Sequence, residues 1–318
     1  MSGQDWIRVI RSPASEEMLR PLSDETAVVQ FSSPLTDDEY LRLAQVVAGH
    51  PSVNLRIYGD LKGQFRDLDF LRHFRGVRRF QFDILWGLRD VGGLIHLAPD
   101  LEALAIGDLH GYRPSLGFLA WFPKLARLSL EGHKRDIEAV AGLSALRDLT
   151  LRSINLPDLS LLKPLTGLES LDLKLGGTRD LRHLPEIGRL RYFEAWMIRG
   201  LDDISPIGDV ASLQYLFLQA LKNVSVLPEM SHLRSLRRVH LETMRGLKDL
   251  RPLAAAPALE QLALFDMPQL TNADLRCLAG HPTLSEVLAV PSSNRKKQAL
   301  EELLPAARAA WTPGFVYR

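Results

Sequence analysis

The chain has 318 residues, of which 46% are hydrophobic and 24% charged, ample material for a folded core and unlike a disordered segment. A formal net charge of +1 argues against a dominating attraction to nucleic acid or to an anionic membrane. The one cysteine, Cys277, excludes an intramolecular disulfide framework; with no signal-peptide core near Met1 and no run that approaches a membrane span, a cytoplasmic protein is expected.

Residues 1-25 precede any regular pattern. Trp6 to Ile10 is expected as a lead-in strand, and the polar segment through Pro13 and Pro21 completes an N-terminal cap. The patterned region, 26-291, opens with a strand at Val29 and Phe31. Thr36 followed three residues later by Glu39 is a capping box, and it predicts a helix carrying Leu41, Leu43, Val46 and Val47 that ends at Gly49-His50-Pro51. Strands follow at Leu55/Ile57, Val77/Phe80/Phe82, Leu101/Leu104/Ile106 and Leu125/Leu128/Leu130.

From Leu146 the pattern becomes strict. The spacing L-x-x-L-x-L gives Leu146/Leu149/Leu151, Leu168/Leu171/Leu173, Leu190/Phe193/Ala195, Leu213/Leu216/Leu218, Leu236/Val239/Leu241 and Leu259/Leu262/Leu264. Their first positions are 22, 22, 23, 23 and 23 residues apart. A final strand at Leu284/Val287/Ala289 brings the total to twelve, counted from Val29. Just before it, Leu270-Thr271-Asn272-Ala273-Asp274 through Gly280-His281-Pro282 repeats the wording of the first helical unit, so a second helix is expected there. Residues 292-318 are expected to form a C-terminal helical cap, with Leu300, Leu303 and Leu304 on one face and Arg295-Lys296-Lys297 as a solvated helix end.

The repeat has a physical cause. A short strand with three apolar side chains on one face buries them only by stacking on its neighbours. Each unit also carries a second apolar cluster for the opposite wall, such as Leu159, Leu161, Leu162 and Leu165, or Ile204, Pro206 and Ile207, or Leu250, Pro252 and Leu253. Proline in that cluster resists regular helix, which predicts a tight, largely non-helical outer side.

Together these residues resemble the leucine-rich repeat proteins, with internalin-like short repeats in the middle and helix-containing units near both ends. The resemblance implies an α/β solenoid with a parallel sheet on a concave face that recognises another macromolecule. The asparagine that often follows the strand in that superfamily is mostly missing here, which leaves the hydrogen bonds of those turns unassigned.

Alternate strand residues point to opposite faces, so positions 3, 5 and 7 of each motif form three columns on the concave sheet. They read Ser170, Tyr192, Tyr215, Arg238; then Asp172, Glu194, Phe217, His240; then Lys174, Trp196, Gln219, Glu242. Tyr192, Trp196, Tyr215 and Phe217, rimmed by Asp172, Lys174, Glu194, Arg238, His240 and Glu242 and continued by Phe265, have the composition of a protein-binding hot spot. The competing explanation is that these aromatics pack on one another or under a terminal segment. A second candidate group lies nearer the N-terminus: Arg56, Tyr58, Arg78, Arg79, Gln81 and Asp83.

Catalytic and metal-binding signatures are lacking. Cys277 sits between Leu275 and Leu278 as an expected core residue, the nine histidines show no close metal spacing, and the glycine pairs Gly92-Gly93 and Gly176-Gly177 lack a phosphate-loop context. The sequence thus points to a non-enzymatic protein-binding module without cofactor or metal. An inhibitor (such as an immunity protein that neutralises a toxin) or an adaptor is the first expectation, and a bacterial effector delivered into a host, or a secreted binding protein, the alternative. Nucleic-acid binding ranks third and catalysis last.

Overall fold

The computed structural model of the protein describes residues 6–289, 302–304, 308 and 310–318. Among the described residues, thirteen strands form a single parallel sheet in sequence order. All twelve strand positions expected between Val29 and Ala289 are strands, and the lead-in segment adds one more. The chain divides into two compact units, Met1–Asp148 and Leu149–Arg318.

In the first unit the strands are β1 (Ile7–Ile10), β2 (Val28–Phe31), β3 (Asn54–Asp60), β4 (Arg79–Leu85), β5 (Ala103–Ile106) and β6 (Arg127–Glu131). Helix α1 (Asp37–Ala48) starts where the capping box places it: the Thr36 side chain accepts from Glu39 N–H, and the Glu39 carboxylate accepts from Thr36 N–H. Glu39 also accepts from Ser12 Oγ at 2.9 Å and Ala14 N at 2.5 Å, so one buried carboxylate fastens the N-terminal segment to the helix start. Beneath the helix, Tyr40 stacks on Phe70 at 4.9 Å and Phe31 meets Phe70 edge-on at 5.7 Å. The later returns are 3-10 turns, at Asp69–His73, Gly92–His96, Gly117–Trp121 and Ile137–Gly142.

Strand β7 (Asp148–Arg152) falls at the division. The second unit continues with β8 (Ser170–Lys174), β9 (Tyr192–Trp196), β10 (Tyr215–Gln219), β11 (Arg238–Glu242), β12 (Gln261–Phe265) and β13 (Glu286–Ala289). Its returns include 3-10 turns and one four-residue helix, α2 (Arg251–Ala254), while the return from β10 to β11 has neither; Pro185, Pro206 and Pro252 occupy the first or second position of three of them. Proline is tolerated there because the first N–H groups of a helical turn have no internal partner. The leucine triplets and the second clusters close the core between the two walls, with Leu168, Leu171, Leu159, Leu162 and Leu165 all fully buried.

The second expected helix is not formed. Residues Asp274–Leu278 make a short 3-10 turn instead. The stretch from Leu270 to Gly280 is four residues shorter than that from Leu35 to Gly49, about one helical turn. Thr271 N and Oγ1 both donate to Asp274 Oδ2 at 2.7 Å, closing a local loop where the longer unit has its reciprocal box. Cys277 is half-buried with its thiol donating to Asp274 O at 3.3 Å, so it lines the edge of the core and does not fill it. The expected C-terminal helix falls mostly on residues outside those described; Leu304 is buried.

The missing asparagines are replaced by a backbone device. The residue after each of the strands β7–β12 takes the left-handed conformation: Ser153, Leu175, Met197, Ala220, Thr243 and Asp266 have φ between 47° and 55°. That rotation turns each N–H toward the next repeat. Ser153 N donates to Lys174 O, Leu175 N to Trp196 O, Met197 N to Gln219 O, Ala220 N to Glu242 O and Thr243 N to Phe265 O, all at 2.8–2.9 Å. The following position is then free to be apolar, and Ile154, Ile198, Leu221, Met244 and Met267 are buried there. A side chain in the left-handed region costs roughly 1–2 kcal/mol. Ala220→Gly is therefore expected to stabilise the protein by about 0.5–1 kcal/mol, after the added entropy of the unfolded glycine; a fall in the urea midpoint would count against the ladder.

Candidate functional site

The five-residue strands of the second unit put alternate side chains on the open face of the sheet, and their register aligns the columns. Tyr192 lies opposite Tyr215 and Tyr215 opposite Arg238; Asp172, Glu194, Phe217 and His240 follow one another in the next row, and Lys174, Trp196, Gln219 and Glu242 in the third. Phe265 extends the third row opposite Glu242.

The aromatic side chains do not form one cluster. Tyr192 meets Tyr215 edge-on at 5.0 Å. Phe217 stacks on His240 at 4.1 Å, and His240 meets Phe265 at 5.0 Å. Trp196 is engaged with Arg152, whose guanidinium lies 5.3 Å over its ring.

Between these groups lies a polar cluster. Lys174 Nζ is 3.1 Å from Glu194 Oε2 and 3.8 Å from Asp172 Oδ1, Tyr192 Oη donates to Glu194 Oε2 at 2.7 Å, and Thr150 Oγ1 donates to Asp172 Oδ2 at 2.9 Å. Burial pushes the Asp172 carboxyl up, and Glu194 facing it across the strands adds to the shift against the opposing pull of Lys174. The Tyr192 phenol is raised by burial and by the same two carboxylates. His240 is pushed down to about 4, chiefly by burial and further by Arg238. Its Nε2 stands 3.4 Å from Glu242 Oε2, but a ring so depressed is neutral at neutral pH and that contact is no ion pair. The neutral His240 ring, the Tyr192 phenol and the Lys174–Glu194–Asp172 cluster together form a polar, hydrogen-bonding surface. Among the described residues no group of three or more His, Cys, Asp or Glu side chains is placed to hold a metal ion.

Part of this face is covered. Residues 310–318 run back across the sheet from β13 toward β9. The run starts where Arg308 pairs with the edge of β13, its N–H donating to Ser285 O at 2.8 Å. Thr312 Oγ1 and N donate to the two oxygens of Glu286 at 2.6 and 3.1 Å. Arg238 Nη2 donates to Thr312 O at 2.8 Å, Arg237 Nη1 to Val316 O at 2.9 Å, and Arg191 Nη2 to Arg318 O at 2.8 Å. Gln214 takes both main-chain groups of Arg318, accepting its N–H at 2.9 Å and donating to its carbonyl at 2.6 Å. Trp311 packs against His240 at 5.7 Å and under the Arg238 guanidinium at 4.3 Å; Phe315 meets Tyr215 at 5.5 Å.

Two of the expected residues, Tyr215 and the rim residue Arg238, are not open: Arg238 is only 3% exposed, and Tyr215 is part-buried with Phe315 against it. The cause is the terminal segment, the competing explanation named above. Trp196, Phe217, Glu242 and Phe265 keep intermediate exposure, and Met197 beside Trp196 is exposed. The one signal available in the sequence was the clustering of Trp311, Phe315 and Tyr317 within seven residues of a chain that is 7% aromatic.

The N-terminal group belongs to the first unit. Register places Arg56 opposite Gln81 and Tyr58 opposite Asp83, with Asn54 opposite Arg79. Arg56 lies over its own neighbour Tyr58 at 4.0 Å, Arg79 Nη1 donates to Ser52 O at 2.8 Å, and Arg78 is ion-paired with Asp100. Asp83 Oδ1 accepts from Asp108 N at 2.9 Å. These side chains are held by local partners, and Tyr58 is exposed.

No family model matches the chain, and no curated protein matches it. Solved structures do. An internalin (inlF) from Listeria monocytogenes str. 4b F2365 shares 18% identity over 91% of this chain and 87% of its own, with a TM-score of 0.61. The fold is that of the leucine-rich repeat proteins. TLR13, in the TLR13-ssRNA13 complex, aligns with 91% of this chain at 17% identity and a TM-score of 0.53, the match covering 46% of TLR13. At these identities the likeness is one of fold. Among the described residues no helix is long and apolar enough to cross a membrane.

Proposed function

We propose that this leucine-rich repeat protein is a non-enzymatic module that binds a partner protein on the open face of its sheet, in the region of β8–β12. The observation that carries the reading is the aligned face itself: Tyr192 edge-on to Tyr215 and Phe217 stacked on His240, set among polar groups that hydrogen-bond and pair with one another. Aromatic anchors beside satisfied polar groups are the chemistry of protein interfaces, whereas catalysis needs an activated group directed at a substrate pocket. A module of this kind acts stoichiometrically, as an inhibitor, for which an immunity protein is the type, or as an adaptor. The internalin and TLR13 likenesses are compatible with a recognition role and assign no partner.

Affinity capture with wild type beside the Trp196→Ala/Phe217→Ala double variant tests this. Neither residue hydrogen-bonds the terminal segment, so the comparison probes the part of the face that remains accessible. One protein retained in 1:1 stoichiometry by the wild type and lost by the variant is expected. Equal retention by both would sink the assignment of the face.

A further inference from the structure

The terminal segment is held in an unusual way. Its side chains contribute aromatic contacts, but most of its hydrogen bonds to the sheet run from side chains of the face to its main chain. Arg238, Arg237 and Gln214 with Arg191 take the carbonyls of Thr312, Val316 and Arg318, residues i, i+4 and i+6 of the segment. Main-chain groups are common to every peptide, so this set of donors reads backbone and leaves side-chain identity to the ring contacts. Those contacts fall at Trp311, Phe315 and Tyr317. Trp311 packs between Arg238 and His240, Phe315 rests on Tyr215 and the guanidinium of Arg237, and Tyr317 lies under Arg191 at 5.1 Å.

Arg238 is central to the arrangement. It is almost wholly buried, donates Nε–H to Gln261 Oε1 at 2.6 Å, and has three rings of the face and the segment within 5.4 Å of its guanidinium. A fixed guanidinium among aromatic faces, with one donor aimed at a carbonyl, is a preorganised peptide contact.

We infer that the face of β9–β13 is a peptide-binding groove occupied in cis by residues 310–318, and that its ligand in trans is a segment of the partner protein with the spacing aromatic-x-x-x-aromatic-x-aromatic and a bend between its first two aromatics, as at Pro313–Gly314 here. This inference rests on the reading of the face as a protein-recognition surface, and it names the chemistry recognised. The tethered segment acts at a high effective concentration, so a trans peptide competes poorly until the cis segment is released.

The test uses the full chain and a fluorescent peptide of residues 310–318, followed by anisotropy. The Trp311→Ala/Phe315→Ala variant of the protein is expected to bind the peptide at least tenfold more tightly than wild type. A peptide carrying the same two alanines is expected to bind neither protein, and Arg238→Ala added to the vacated protein is expected to abolish binding. On wild type itself, saturating peptide should speed exchange of the Thr312 and Arg318 amides, which needs no variant to fold. Equal affinity of wild type and variant, unchanged amide exchange, or peptide-free dimerisation that exchanges the segment between two copies would each overturn the inference. Loss of peptide binding with partner capture intact would overturn the peptide chemistry alone and leave the recognition reading standing.

Discussion

Arg238→Ala is expected to destabilise the protein by about 3 kcal/mol and to release the terminal segment from the sheet. The size follows from three losses. The substitution removes charge-assisted hydrogen bonds to Thr312 O and Gln261 Oε1, each on the order of 1.5–3 kcal/mol when one partner is charged. It strips a cation from between Tyr215, Trp311 and Phe315, and it leaves a cavity where the side chain was 97% buried, since its exposure is 3%. Part of this is offset because a buried guanidinium is itself costly to desolvate. Arg238→Lys should recover little, because an ammonium lacks the planar fork that reaches both acceptors. Urea denaturation gives the stability, and amide exchange at Thr312 and Arg318 gives the docking. A variant with wild-type midpoint and unchanged protection would show that the segment is held without Arg238.

Phe193→Ala should cost still more, roughly 3–5 kcal/mol, as for other fully buried phenylalanines. Phe193 is 0% exposed at the second position of β9, between Leu171 of β8 and Leu216 of β10 in the register. Repeats are stabilised by their neighbours, so a cavity in one weakens both interfaces and local unfolding should begin around β9. Faster amide exchange in β8–β10 than in β12 would display that. A loss under about 1 kcal/mol would mean that the stack collapses around the site far more easily than closely packed cores do. The face is affected only indirectly, because Phe193 points inward; partner capture at temperatures where the variant stays folded should match wild type.

The contrast between these two residues marks the division between what was legible in the sequence and what was not. Phe193 is identified as core by its place in L-x-x-L-x-L, because a parallel strand stacked on copies of itself leaves position 4 only one side to face. The same regularity gave the twelve repeat strands, the columns of the face and the start of α1 at Thr36, where cap and helix lie within three residues of each other. Even the opposition of Asp172 to Glu194 follows from spacing alone, as a stack in constant register preserves position number.

Three things were decided by the tertiary structure. The left-handed residues after the strands are as varied as Leu175, Met197 and Ala220, since what they share is a backbone hydrogen bond to the next repeat and no side-chain type. The segment after Leu270 was one turn too short for the helix its wording implied, and chain length between fixed strands outweighed local capping. Above all, Arg238 gave no sign of being buried. Its cover is a segment 74 residues later in the chain at Thr312, and 127 residues separate Arg191 from Arg318. Periodicity reports on contacts between neighbouring repeats, whose sequence distance is fixed. A terminal segment returning over the sheet has no period, and only the energies of its hydrogen bonds and ring contacts determine where it comes to rest.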